Sequence, residues 1–98
     1  MANSEKSARF LIESRLRDAA RGSADACFDL GVVYSSGAEG VTIDLVEAHK
    51  WFNIAAMTGS VEAQACRADI AEDMTAREII DAQKAARAWL RGLESRAA

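Results

Sequence analysis

A five-residue motif written twice places the strongest constraint on how this chain can fold. Gly22-Ser23-Ala24-Asp25-Ala26 returns 37 residues later as Gly59-Ser60-Val61-Glu62-Ala63. In each copy a glycine suited to ending one helix is followed by a serine suited to capping the next. A pair of alanines precedes each copy, Ala19-Ala20 and Ala55-Ala56. Two helices and two turns fill a period of this length. No proline interrupts the chain and 21 of its 98 residues are alanine, so an all-α arrangement of closely approaching helices is expected.

Apolar spacing and capping residues predict five helices. The first spans about Ser4 to Ala20, with Phe10, Ile12, Leu16, Ala19 and Ala20 as its apolar face and Leu11 off that face. Ser23 opens the second, which carries Ala26, Leu30, Val33 and Tyr34 on one side until Gly37 and Gly40 break it. Asp44 and Glu47 have the spacing of a capping box for the third, which runs to about Met57. Ser60 opens the fourth, with Ala63, Arg67, Ile70 and Met74 at helical spacing. Thr75 and Glu78 form a second capping box, and the fifth helix runs to about Leu90 with Ile79, Ala82, Ala86, Trp89 and Leu90 to one side. Lys84, Arg87 and Arg91 lie towards its end, where positive charge suits the helix dipole. Gly31 and Ala48 are the small residues at which two helix backbones are expected to approach, with Leu30, Tyr34, Trp51 and Phe52 filling the space around them.

From Ala26 to Ala63 the sequence resembles the Sel-one-like repeat, a relative of the tetratricopeptide repeat. The matching positions are Ala26, Leu30, Gly31, Tyr34, Gly37, Gly40, Val41, Asp44, Ala48, Trp51, Ala55, Ala56, Gly59 and Ala63. The resemblance covers one full repeat and implies paired antiparallel helices stacked as a right-handed α-α superhelix. Two features depart from the pattern. The Gly37–Gly40 turn is one residue longer than the commonest form, and in the next copy Met74-Thr75 replaces the glycine loop while Ala68 stands where Gly31 stood. The expected organisation is one domain: a capping helix over 1–22, a complete repeat over 23–59 and a degenerate helical hairpin over 60–98. So short an array needs its ends covered. If Phe10, Leu11 and Ile12 are not all buried within the chain, a homodimer is the expected cover.

Composition narrows the functional classes. Half of the residues are apolar and 28% are charged, the balance of a water-soluble globular chain. The first twenty residues are charged throughout and give no signal peptide or spanning segment, so a cytoplasmic location is expected. The net charge of −3 argues against nucleic acid as a partner. Residues 25–81 carry eleven acidic and three basic side chains, between ends in which basic residues predominate. Cys27 and Cys66 lack the close spacing of a metal or redox motif and read as free thiols in helical packing. His49, the only histidine, has no sequence-near partner for catalysis or metal binding and reads as an exposed helical residue. No cofactor and no catalytic activity are expected.

What the resemblance implies for function is a protein-protein interaction module, an adaptor, scaffold or regulatory subunit. The first helices of successive hairpins would line its concave face. By position these residues are Asp25, Phe28, Val32, Glu62, Ala65, Asp69, Glu72 and Asp73. Phe28 and Val32 would form an apolar spot beside carboxylates, suited to a partner segment with basic residues around an apolar anchor. Two plainer readings stand beside this one: Phe28 packs between hairpins, and the carboxylates are a solvated face. A self-associating structural module without a peptide client is the alternative function.

Overall fold

A computed structural model describes residues 3–97, and the side-chain surroundings of 6–95. Met1, Ala2 and Ala98, which belong to the expected first and last segments, lie outside the described residues. Five α-helices follow one another: α1 (Asn3–Ala20), α2 (Ala24–Ser36), α3 (Leu45–Met57), α4 (Val61–Ala71) and α5 (Ala76–Ala97), with a short 3-10 turn over Ala38–Gly40 between α2 and α3. The described residues contain no strand.

The helix starts form as the sequence implies, with one difference. Ser23 Oγ accepts from the Ala26 amide at 3.1 Å and Ser60 Oγ from the Ala63 amide at 3.2 Å, so both copies of the motif cap their helices in the same way. Thr75 and Glu78 complete a reciprocal box, at 3.1 Å and 2.8 Å. Asp44 accepts from the Glu47 amide at 3.1 Å, but Glu47 does not reach back. Its Oε1 accepts instead from Lys50 Nζ at 2.5 Å and Trp51 Nε1 at 3.1 Å, because a buried indole N–H has the greater need of an acceptor.

The chain reverses between α2 and α3 through Gly37, whose φ of 74° is the left-handed conformation that ends a helix. A Cβ there would meet Ile43 Cγ1 at 3.1 Å, so both the backbone conformation and the close approach favour glycine. The Asp44 amide then donates to the Tyr34 carbonyl at 2.9 Å and closes the turn.

The core centres on α3, which packs closely against α2, α4 and α5. α1 packs against α2 and the 3-10 turn, whereas α4 and α5, although consecutive, have no comparably close approach to one another. Serving three neighbours makes α3 apolar around most of its circumference: Ala48, His49, Trp51, Phe52, Ile54 and Ala55 are all buried. Trp51 bridges to α5, its ring 4.9 Å from that of Trp89 and nearly perpendicular to it. Ala82 and Ala86 present small buried surfaces on the same side of α5. The close approach expected of Gly31 is present, and the ring of Phe52 lies against it: a Cβ at Gly31 would fall 2.5 Å from Phe52 Cε1. Ala48 is fully buried.

Two expectations at the ends are corrected. Phe10 does not join the buried face of α1; it is 69% exposed. The core side of α1 is set by Ile12, Leu16 and Ala19, and at about 100° per residue Phe10 lies nearly opposite that side, whereas Leu11 is half-buried. α5 continues past Leu90 to Ala97, since Gly92 costs only about 1 kcal/mol in a helix and no proline follows to stop it. Lys84 accordingly sits in the middle of α5 and not near its end.

Candidate functional site

The two motif copies meet in space. The first turns of α2 and α4, together with the Thr58–Ser60 link, line a depression of about 320 Å³ that includes Asp25, Phe28, Val61 and Glu62. Of the eight residues expected on a binding face, the fold therefore brings Asp25, Phe28 and Glu62 to one place. Val32, 38% exposed, lies one turn further along α2, outside that lining. Ala65 and Asp69 are exposed along α4, and Glu72 and Asp73 follow at its C-terminal end, also exposed and outside the depression.

The three that border the depression also have local structural reasons to be where they are. Asp25 and Glu62 stand in the first turns of their helices, where negative charge opposes the helix dipole favourably. Phe28 is half-buried and tilts against Phe52, with ring centroids 5.6 Å apart, while it also lines the depression. Phe28 thus packs within the α2–α3 hairpin with one side and borders the opening with another. Asp29 is tied to α1 by Arg15, whose Nε lies 2.9 Å from its carboxylate. Arg67, the one basic residue of α4, donates to Asn53 Oδ1 of α3 at 2.7 Å and so turns its charge back towards the core. The outer surface of α4 is left to Glu62, Asp69 and the carboxylates that follow.

His49 is a correction to the sequence reading: it is only 4% exposed. Its Nδ1 is sealed from solvent without a hydrogen-bond partner among the described residues. Burial, and next the nearby charge of Arg67, hold its pKa below the ordinary value of 6.5. A folded state that resists protonation loses stability wherever the unfolded chain takes up the proton. The contribution is complete above about pH 6.5 and declines as the pH falls below it. Replacing His49 with Leu should flatten the decline in unfolding free energy between about pH 7.5 and 5. Equal slopes for wild type and variant in urea titrations across that range would refute this assignment.

Cys27 is buried and its thiol is pushed up to about 11 by desolvation, which leaves it a poor nucleophile. Burial, with the charges of Glu47 and Asp44, also raises the Tyr34 phenol. Among the described residues no three histidine, cysteine or carboxylate side chains gather around a common point, and no helix is long and apolar enough to cross a membrane.

A second concavity, absent from the sequence reading, runs along α1. It has a volume of about 670 Å³ and lies beside Phe10, with Leu11, Lys6 and Arg15 on the helix and Glu39 across from it on the 3-10 turn. The only advance signal was the unbroken Phe10-Leu11-Ile12 run, three apolar residues that no single helix face can bury.

The chain matches no family model, no curated protein and no solved structure.

Proposed function

We propose that this chain is a short Sel-one-like α-α solenoid that acts in the cytoplasm as an adaptor or regulatory subunit, holding a segment of another protein by contact and without catalysis. The observation that carries the reading is the meeting of the two motif copies, which gathers Asp25, Phe28 and Glu62 around one opening. A repeat whose equivalent helices present equivalent side chains to a shared concavity has the geometry by which stacked helical units hold extended peptides. The exposed carboxylates of α4 continue the negative surface away from the depression, with Arg67 withdrawn. The partner segment that fits is one with an aliphatic or aromatic anchor for Phe28 and lysine or arginine on either side.

The test is titration of a peptide array of that design against the wild type and a Glu62→Lys/Asp69→Lys variant. Both side chains are exposed and neither is held in a hydrogen bond between side chains, so helical content should be unchanged. Binding should weaken about tenfold or more in the variant, and in the wild type as salt rises from about 0.1 to 0.5 M. A folded variant that binds basic peptides as tightly as the wild type would sink the proposal.

A further inference from the structure

α1 turns its largest side chain away from the core. Phe10 is 69% exposed, beside a groove of about 670 Å³ with Leu11 at its side. Lys6, Phe10 and Glu13 are spaced by four and then three residues, which sets them along one stripe of the helix. Lys6 and Glu13 are both exposed. Arg15, which also borders the groove, is already held by Asp29 at 2.9 Å.

The stripe is complementary to itself. In two copies of α1 run antiparallel about an axis at Phe10, a residue before the axis on one helix meets a residue after it on the other. Lys6 of each copy then comes beside Ser14 and Glu13 of the second, while the two Phe10 rings meet at the centre. Opposite charges at nearly equal distances on either side of an aromatic residue make the same pairing occur twice. Arg17, further along the stripe, falls at the rim opposite the start of the other α1.

We infer that α1 is the interface of a twofold homodimer, in which the Phe10 rings of the two copies meet at the axis beside the groove and Lys6 pairs with Glu13 across the axis in both directions. A contact of this kind uses the same patch on both copies and closes at two, so it does not propagate into fibres. Mixed charge along the stripe is unsuited to a lipid surface, which favours a face of one sign. The acidic opening formed by α2 and α4 is lined by different residues, so the dimer stands or falls apart from peptide binding.

The helix has 18 residues and so is about 27 Å long. One such strip buries less than the ~800 Å² per partner of a stable interface, and the dimer is accordingly weak. Sedimentation equilibrium of the full chain should show the mass rising from 10.5 kDa towards twice that value as concentration increases from about 10 µM to 1 mM. Phe10→Ser should hold it at the monomer mass. Lys6→Glu and Glu13→Lys, made singly, each place like charges together at both ends of the interface and should weaken association by about three- to thirtyfold. The double exchange should restore it. All of these positions are exposed, so circular dichroism should report unchanged helix. A wild type that stays at the monomer mass up to about 1 mM, or single exchanges that associate like the wild type, would overturn the inference. So would a double exchange no tighter than its parents.

Discussion

Trp51→Ala is expected to remove about 3–5 kcal/mol of stability, the usual cost of deleting a large aromatic side chain from a packed interior. Single domains of this size have roughly 5–15 kcal/mol in total, so the variant should be close to unfolding at ordinary temperature. The reason for so large an effect is that Trp51 serves several contacts at once. It is 1% exposed, its ring meets that of Trp89 edge-on at 4.9 Å, its N–H reaches Glu47 at 3.1 Å, and Lys50 Nζ lies 4.5 Å from the ring centre. Truncation leaves a cavity between α3 and α5 and takes from Glu47 one of its two donors. Urea unfolding followed by far-ultraviolet dichroism measures the effect. A loss under about 1 kcal/mol would mean that the space collapses easily and that Trp51 is not central to the packing. Trp51→Phe, which keeps most of the ring volume, should fall between the two.

A second large effect is expected at Gly31. A Cβ at this position would approach Phe52 Cδ1, Cε1 and Cγ far inside contact distance, and the ring has little room to yield because Phe52 is only 2% exposed. Gly31→Leu should destabilise by about 1–3 kcal/mol or more, as overpacked cores do. Gly31→Ala should cost less, since alanine regains about 1 kcal/mol of helix propensity against the same clash. The decisive measurement is a double-mutant cycle. Gly31→Leu should cost much less in a Phe52→Ala background, where the ring is gone. Additive losses would show that the damage arises elsewhere.

The starts of α2, α4 and α5 and the end of α2 were legible because they rest on local chemistry. Ser23, Ser60 and the Thr75–Glu78 pair each satisfy free amides within three residues, and Gly37 adopts a conformation that other residues resist. That Asp25 and Glu62 border one depression is consistent with their equivalent places in the two motif copies, whereas Phe28 is there without its counterpart Ala65. What escaped the sequence depends on how many neighbours a helix has. Periodicity assigns one buried face to each helix, but α3 is packed from three directions, so His49 is buried on a side that an amphipathic pattern would leave to water. The same limit applies at Gly31: spacing showed that something must come close, but not that the ring of Phe52 would lie there. Phe10 failed for the opposite reason. α1 packs on one side only, and an apolar residue near its middle was counted towards a face it does not share.

The tryptophan pair has a consequence for growth. A helical array lengthens when a copied unit slips between two existing ones and meets each of them as they had met one another. Here the surface of α3 around Trp51 is occupied by Trp89 of α5, not by a helix that belongs to the repeated motif. A further 37-residue unit inserted after Met57 would separate the two indoles, and its own helices would have to supply a substitute on both sides of the break. A segment inserted between α1 and α2 would instead keep the two indoles together and part Arg15 from Asp29, so each insertion point trades away a different contact.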